Sequence, residues 1–280
     1  MSEERVGRFV AALANEGRVR VMATVVDGPA DVVRARHGLS GAAALLAAEG
    51  VAASTLLAAH VKGEERLTVD LHCDHPPFAF TCDVNGDGTV RARFRPDRLP
   101  PLHNFTGMMS VMKSLGRKEL YRGLAEVRRE RFQGALQRYL TSSQQVDGRV
   151  RVHAELGPSG EVAFAAGLLV ERLPDLPAEE FAAQFDGALA GDFRELMTAF
   201  AFGQLAGSPI EVLGSRDLVF HCGCSRDRVV GMLRALGKPE IRSMLAEQGR
   251  AEVTCHYCNS VYDIDADGLR RLLEEPSTEN

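Results

Sequence analysis

Apolar positions along the chain change their spacing several times, and each change predicts a different element. Over residues 4–14 they recur at helical intervals, so we predict a first helix that Gly17 ends. Short apolar runs between turn residues predict strands at 19–26, 67–71, 78–84, 89–94, 108–112, 120–127, 150–156 and 162–173. Further helices are predicted at 29–37, from about Ser40 onwards, and at 132–140. This mixture predicts an α+β fold, with residues 1–174 as a mixed α/β core domain.

A second region begins where Pro174 and Pro177 end this block. Residues 179–205 carry phenylalanine and leucine side chains at roughly helical intervals, interrupted by glycines. Such an amphipathic stretch needs a partner surface to cover it. We predict an amphipathic helical linker over 175–217, followed by a small C-terminal domain over 218–280.

One segment, residues 42–61, resembles a membrane span because it is almost free of charge over the roughly twenty residues that a bilayer requires. It is built mainly from alanine, however, with Glu49 near its middle and Ser54 and Thr55 after it. Charged groups at that depth are costly in lipid. We therefore predict a closely packed helix of a soluble protein and no membrane partner.

Composition narrows the classes of function. The 280 residues are 45% apolar, which excludes a wholly disordered chain, and 33 Lys and Arg against 38 Asp and Glu give a formal charge of −5. Nucleic-acid binding depends on clustered positive charge, so we predict no nucleic-acid partner. Residues 2–5 lead into a charged stretch rather than an apolar one, which argues against a secretion signal and predicts a cytoplasmic protein.

The six cysteines are distributed unevenly. Cys73 and Cys82 stand alone, whereas the other four form a Cys-x-Cys pair and, after thirty intervening residues, a Cys-x-x-Cys pair. These four are Cys222, Cys224, Cys255 and Cys258. Two such pairs supply the four thiolates of a tetrahedral zinc site. The intervening residues predict two helices, one capped by Ser225 and one opened by Pro239, that bring the pairs together.

A site closed by four sulfurs has no open coordination position, so we predict a structural or regulatory zinc ion and no enzymatic activity. Four thiolates are also oxidisable. Oxidation would remove the ligands and release the metal, together with the folding free energy that it supplies. Neighbouring basic residues are candidates for stabilising the thiolate form. They are Arg226, Arg228, Arg250, His221 and His256.

The cysteine pattern and its flanking residues closely resemble those of the redox-regulated chaperones of the heat-shock protein 33 family. Near the cysteines, the matching stretches are Cys-Ser-Arg-Asp-Arg from Cys224, Leu-Ala-Glu-Gln-Gly from Leu245 and Cys-His-Tyr-Cys-Asn-Ser-Val-Tyr from Cys255. Upstream, residues 120–123, 139–145 and 166–174 follow landmarks of the family in order. The resemblance covers nearly the whole chain.

The resemblance implies an ATP-independent holdase that binds unfolded or oxidatively damaged client proteins. Its reduced form would be inactive and would hold one Zn²⁺ on the four cysteines. Oxidation would form two disulfides, Cys222 with Cys224 and Cys255 with Cys258, and release the zinc. The C-terminal domain and the linker would then unfold and expose an apolar surface, and the oxidised form would be able to act as a homodimer.

This chain departs from the family pattern in three respects. The segment before Cys222 is short and lacks a strongly acidic run, Ser-Ser-Gln-Gln at 142–145 replaces the usual Ser-Glu-Gln, and Cys73 and Cys82 are additional. We predict that these two cysteines pack as small apolar residues rather than forming a third redox pair. The departures bear on the activation threshold and on linker behaviour.

Two other motifs have simpler interpretations. Residues 263–274 satisfy the calcium-loop expression D-x-[DN]-x-[DN]-G-x5-E, but no helix precedes them, so we predict an aspartate-rich turn that caps a terminal helix. His153 and Glu155, with the later Cys-x-x-Cys, resemble the zinc-deaminase pattern, but Thr254 stands where that pattern has proline.

Two alternative functions stay open beside the redox-regulated chaperone. One is a constitutive zinc-stabilised interaction module without oxidative activation, and the other is a thiol-disulfide oxidoreductase. Suppression of client aggregation, measured before and after oxidation, separates the three.

Overall fold

The computed structural model describes residues 6–274, and the chain divides into two compact units between His221 and Cys222. The prediction about a secretion signal concerns residues 2–5, which lie outside the described residues. The strands are β1 (Gly7–Ala14), β2 (Val19–Val25), β3 (Glu65–His75), β4 (Pro77–Asn85), β5 (Thr89–Arg95), β6 (Phe105–Leu115), β7 (Lys118–Glu130), β8 (Gly148–Leu156), β9 (Val162–Arg172), β10 (Gln204–Leu205), β11 (Ser208–Phe220), β12 (Ala251–Thr254) and β13 (Val261–Ile264). The helices are α1 (Asp27–His37), α2 (Gly41–Leu56), α3 (Phe132–Ser142), α4 (Ala178–Ala190), α5 (Phe193–Ala201), α6 (Arg226–Leu236), α7 (Lys238–Glu247) and α8 (Ala266–Glu274), and a short 3-10 turn (Leu57–His60) follows α2.

One large sheet organises the first unit. Its strand order is β7-β6-β3-β4-β5-β11-β1-β2-β9-β8, with β10 beside β11. Neighbouring strands run antiparallel except β5 and β11, which are parallel where Val219 lies opposite Thr89 and Phe220 opposite Val90. The predicted α+β class is confirmed, and each strand predicted between residues 19 and 173 lies within or overlaps a strand of this sheet.

The helix predicted over residues 4–14 is wrong, because residues 7–14 form β1. Its buried positions are 7, 9, 12 and 14, since a bulge between Ala11 and Ala12 interrupts the two-residue alternation of a strand. This irregular spacing resembles that of a helix. Pairing with β2 on one side and β11 on the other outweighs the local pattern, and Gly17 lies in the turn between β1 and β2.

Helix α2 is buried along most of its length in the first unit. Gly50 permits a close approach, since a Cβ there would lie 2.6 Å from Phe80 Cζ and 2.9 Å from Phe132 Cζ. The carboxylate of Glu49 is buried as well, and the guanidinium of Arg131 donates to it at 2.6 and 3.1 Å. By length and composition, residues 41–60 could cross a membrane, yet 83% of their most apolar window is buried inside the fold. The predicted closely packed helix is therefore confirmed.

The amphipathic segment predicted over 179–205 forms α4 and α5, which pack in one apolar cluster with side chains of β1, β2 and β9. Phe181 and Phe185 are fully buried in that cluster. Residues 175–217, predicted as a linker, belong to the first compact unit as α4, α5, β10 and most of β11. The sequence did not predict β11, because its Val212 and Leu213 are exposed and only its last residues are buried among apolar neighbours.

The second unit is small and combines the helical pair α6 and α7 with the hairpin β12–β13 and helix α8. The hydroxyl of Ser225 accepts from Arg228 N at 3.2 Å, which confirms the predicted cap of α6. Asp265 Oδ1 accepts from Gly268 N at 2.8 Å, so the aspartate-rich segment caps α8 as predicted. The buried apolar residues are Val229, Leu233, Ile241, Ala251, Ile264, Leu269 and Leu272.

Candidate metal centre

The four clustered cysteines lie in two connections of the second unit. Cys222 and Cys224 precede α6, whereas Cys255 and Cys258 lie in the turn that joins β12 to β13. The helix cap at Ser225 begins α6 directly after Cys224. Each pair of cysteines therefore lies within a few residues of a helix or strand. These elements fix the position from which the cysteine side chains enter the site.

Backbone hydrogen bonds shape the turn that carries the second pair. The amide of Cys255 donates to the carbonyl of Ser260, and the amide of Asn259 donates to the carbonyl of Cys255, both at 2.9 Å. Asn259 has a φ of 54°, in the left-handed region that asparagine tolerates better than most residues. This tight turn keeps Cys255 and Cys258 on one short loop.

All four sulfur atoms lie within 4.8 Å of one another. The Sγ atoms of Cys222 and Cys255 are 3.6 Å apart, and those of Cys224 and Cys258 are 3.3 Å apart. A tetrahedral metal ion with metal–sulfur bonds of about 2.3 Å separates its ligands by about 3.8 Å, which these side chains reach with small rotations. Within residues 6–274, no other group of three or more His, Cys, Asp or Glu side chains is so placed.

Two hydroxyl groups border the sulfurs. Tyr262 Oη donates to Cys224 Sγ at 3.0 Å, and the hydroxyl of Ser260 lies 3.2 Å from Cys258 Sγ. Hydrogen bonds of this kind orient metal ligands and tune their affinity. Sequence reasoning did not single out Ser260 or Tyr262 as site residues. Their positions two and four residues after the Cys-x-x-Cys motif were the available signal.

Burial and hydrogen bonding change the thiol pKa values in opposite directions. Burial raises the pKa of Cys222 to about 12, and it raises the pKa of Cys224 despite the hydrogen bond from Tyr262. Burial also acts against ionisation of Cys258, but Ser260 and the neighbouring thiols lower its pKa to about 6. A divalent cation at the centre would favour the thiolate form of all four.

Two of the basic residues predicted to stabilise the thiolates make other contacts. Arg226 Nη1 donates to the carbonyl of Asp263 at 2.7 Å, and Arg250 lies 3.9 Å from the carboxylate of Asp263. Arg228 does border the cysteine pair, since its Nη1 lies 3.0 Å from where a Cβ of Gly223 would be. The positive charge of the Arg228 guanidinium therefore lies beside the cysteine pair, whereas Arg226 links α6 to β13 through a hydrogen bond.

Cys73 and Cys82 are buried free thiols in neighbouring strands of the first unit. Cys82 lies opposite Val69 on β3, four residues before Cys73, so the two are about 13 Å apart along the strand. A disulfide needs Cα atoms within about 7 Å. Burial raises the pKa of both thiols, that of Cys73 to about 12. These features confirm that they pack as apolar residues and do not form a redox pair.

His153 and Glu155 lie on β8 and outside the candidate metal site. The imidazole of His153 is 2.9 Å from Glu155, whose carboxylate also accepts from Arg194 Nη2 at 2.6 Å. Glu155 thus takes part in ion pairing between β8 and α5. The zinc-deaminase interpretation has no support in this arrangement.

Comparison with known proteins agrees with the geometry of the site. The family model for the Hsp33 protein matches residues 7–265. A 33 kDa chaperonin from Gloeobacter violaceus is 31% identical over 97% of this chain and 97% of its own length, and one from Bacillus subtilis is 28% identical over 95% and 98%. The crystal structure of the 33 kDa chaperonin (heat shock protein 33 homolog) from Thermotoga maritima covers 97% of this chain and 98% of its own, with a TM-score of 0.85 at 19% identity, which shows a shared fold. Because the family model spans both compact units and includes all four clustered cysteines, the chain belongs to the Hsp33 family.

Proposed function

We propose that the protein is a redox-regulated, ATP-independent holdase chaperone of the cytoplasm and not an enzyme. Its clients in this proposal are unfolded or oxidatively damaged proteins. The observation that carries the proposal is the convergence of four cysteine sulfurs in a unit with a small apolar core. Curated relatives that are named chaperonins support the chaperone part of it.

The metal in this proposal is one Zn²⁺, held by the reduced protein. Its ligands are Cys222, Cys224, Cys255 and Cys258. Four thiolates at tetrahedral spacing suit zinc, and a site with no open position suits a structural role. Because the second unit buries few large side chains, bound zinc would supply much of the free energy that keeps it folded.

Oxidation is the activating step of the proposal. Each disulfide forms when two thiolates lose two electrons, which a peroxide accepts as it is reduced to water or an alcohol. The shortest sulfur separations join one cysteine of each motif, and all four lie within 4.8 Å, so proximity does not select the partners. The pairing of Cys222 with Cys224 and of Cys255 with Cys258 follows from the family resemblance.

The chain connectivity supports a route from zinc loss to client binding. Strand β11 ends at Phe220, two residues before Cys222, and α4 and α5 lie just before it in the sequence. These helices cover an apolar cluster that contains Phe181, Phe185 and side chains of β1, β2 and β9. Their release would expose a large apolar surface of the kind that binds unfolded chains, or a second oxidised copy of this chain.

A paired assay of zinc release and client aggregation tests the proposal. Reduced protein should hold one zinc ion per chain and leave a heat-denatured client to aggregate. Peroxide-treated protein should have lost the zinc and should suppress aggregation without ATP. Equal suppression by both forms would instead support the constitutive interaction module, and disulfide transfer to substrates at substoichiometric protein would support the oxidoreductase.

Mass spectrometry of the oxidised protein tests the pairing. We expect one peptide with a disulfide between Cys222 and Cys224 and another with a disulfide between Cys255 and Cys258. Disulfides that join the two motifs would contradict this part of the proposal. The double variant Cys73→Ser with Cys82→Ser is the matched control. It removes the two remaining cysteines, so zinc content and oxidative activation should both be retained.

A further inference from the structure

Strand β8 forms one edge of the large sheet, and among the described residues it pairs with β9 alone. Alternate residues of an antiparallel strand direct their backbone groups to opposite sides. Just before β8, the carbonyl of Asp147 accepts from Arg172 N at 2.8 Å, so the odd-numbered residues bond towards β9. The even-numbered residues from Gly148 to Leu156 therefore direct their N–H and C=O groups away from the sheet. A free edge of this kind can pair with a further strand.

Two glutamine side chains of α3 occupy this edge. Gln137 Oε1 accepts from Val150 N at 3.0 Å, and Gln137 Nε2 donates to the carbonyl of Gly148 at 2.8 Å. Gln133 Oε1 accepts from Val152 N at 3.2 Å. A glutamine amide carries the same donor and acceptor groups as a peptide bond. Gln137 therefore makes the two hydrogen bonds that a residue of a neighbouring strand would make.

The spacing of the two glutamines matches that of the strand. Residues four apart lie on one face of a helix and are about 6 Å apart along its axis, while residues two apart in a strand are separated by about 6.6–6.8 Å. Gln133 and Gln137 can thus reach successive outward positions of β8. The packing of α3 depends on other side chains, such as the buried Phe132 and Leu136. The glutamines are therefore dispensable for the core and specific to the edge.

Open space adjoins the occupied edge. Two depressions of about 570 and 440 Å³ lie along β8, and Gln137 and Arg149 line both of them. The larger depression reaches Asp186 and Leu189 of α4, and the smaller one reaches Gly148. The surface beside β8 is thus a continuous concavity between α3 and α4.

The sequence of β8 favours pairing with a second copy of itself. Val152 is the middle residue of the strand, so a two-fold antiparallel pair centred there uses its whole length. This register places Arg149 opposite Glu155 of the second copy, whereas a pair centred on Val150 would place Arg149 opposite Arg151. Opposite charges across a strand pair stabilise it and like charges destabilise it. Because Arg149 and Glu155 already have ionic partners within their own copy, the favoured register chiefly avoids repulsion.

We infer that β8 is a latent docking edge for β8 of a second copy of this chain, and that Gln133 and Gln137 keep it closed. A second copy must displace three side-chain hydrogen bonds in each chain before the two backbones can pair. The glutamines therefore prevent folded copies from associating through this edge. The inference uses none of the four clustered cysteines and is independent of the proposed chaperone activity.

Sedimentation equilibrium of the reduced, zinc-loaded protein tests the inference. The wild type should behave as a monomer of 30.4 kDa. The double variant Gln133→Ala with Gln137→Ala should dimerise with a dissociation constant at least about a hundredfold lower than that of the wild type, because no side-chain bonds have to be displaced. Gln137→Ala alone removes two of the three bonds and should give an intermediate value. The matched control Ser142→Ala, at an exposed position of α3, should sediment as the wild type does.

Hydrogen exchange of single amides locates the contact, and dispersed NMR signals with full zinc content show that each variant is folded. In dimers of the double variant, the amides of Val150, Val152 and Ala154 should be protected, and more so at higher protein concentration. Adding Ala154→Pro removes one donor of the open edge and no bond to β9, so the triple variant should be a monomer again.

Three results would overturn the inference. They are a folded double variant that stays monomeric, a dimer in which the three amides exchange freely, and a dimer that survives Ala154→Pro. If the double variant does not fold, Gln137→Ala alone decides, since it keeps the hydrogen bond from Val152 to Gln133. A folded Gln137→Ala variant that is as monomeric as the wild type would then overturn the inference.

Discussion

The two compact units are stabilised in different ways. The first unit buries large aromatic side chains against one another, with the ring centroids of Phe80 and Phe132 5.1 Å apart and those of Phe78 and Phe94 5.2 Å apart. The buried core of the second unit holds only aliphatic residues and one alanine, beside four cysteine sulfurs. Small domains bury too little apolar surface to be stable alone and often depend on a metal ion. Under the proposed function, such a protein would lose the second unit to an oxidant and keep the first.

Within the first unit, the attachment of α4 and α5 differs from that of α2. Helix α2 is buried along most of its length, whereas α4 and α5 bury one stripe of side chains and leave the rest to solvent. The strand that follows them, β11, meets β5 through only two residue pairs. Helices α4 and α5 are thus attached to the first unit through one face each, whereas β11 is held by eight residue pairs with β1.

The largest expected effect is loss of the metal site through Cys258→Ser. Because zinc binding to structural sites is worth about 10–16 kcal/mol of folding free energy, the second unit should unfold while the first stays folded. Zinc content and the dispersion of amide NMR signals measure the two outcomes separately. The matched control is Cys73→Ser, which should retain zinc, and a fully dispersed second unit in Cys258→Ser would contradict the comparison.

A substitution that creates a cavity under α4 tests how firmly that helix is attached. Phe185 is fully buried in the cluster with β1, β2 and β9, so Phe185→Ala should lower the free energy of unfolding of the first unit by about 3–5 kcal/mol. Under the proposed function, the variant should suppress client aggregation in the reduced, zinc-bound state. Phe202→Ala is the control, since Phe202 is 81% exposed and its removal should change neither stability nor activity.

Removal of one hydrogen bond to a ligand should produce a smaller change at the metal site. Tyr262→Phe deletes the donor to Cys224 and keeps the ring, so zinc affinity should fall about 10–100-fold. Competition with a chelator measures the affinity, and peroxide-induced zinc release should become faster in parallel. The control Val261→Ala, at an exposed position next to Tyr262, should bind zinc as tightly as the wild type. Unchanged zinc affinity in Tyr262→Phe would show that the hydroxyl does not support the Cys224 ligand.

Acid should weaken the attachment of α5 slightly. The hydrogen bond from Arg194, with help from His153, lowers the pKa of Glu155 to about 2. A lowered carboxyl pKa gives stability that is fully present above about pH 4.3 and is lost as the pH falls towards about 2. Because both side chains are substantially exposed, the effect should be below about 1 kcal/mol.

Hydrogen exchange of the α5 amides measures this effect by comparing the wild type with Arg194→Gln. Protection should differ between them at neutral pH, and the difference should vanish in acid. Arg128→Gln breaks an exposed ion pair with Glu126 on β7 and should not change α5. A difference between wild type and Arg194→Gln that is independent of pH would show that Arg194 acts by packing over Phe164 instead.

Local sequence determined much of this protein. The spacing of the four cysteines, the serine cap before α6 and the proline that opens α7 predicted the metal-site elements, because ligand spacing and helix caps act over a few residues. The short apolar runs of β2 to β5 and the alanine-rich α2 also allowed prediction, since turn residues bound each strand and a core helix has a uniformly apolar composition.

Only the tertiary structure decided the remainder. Residues 7–14 form a strand because β2 and β11 pair with them. Strand β11 itself buries too few side chains for its sequence pattern to indicate a strand. The hydroxyl of Tyr262 reaches Cys224 across 38 positions of sequence. Long-range pairing and the meeting of distant polar groups depend on where the chain folds back, which short-range patterns do not encode.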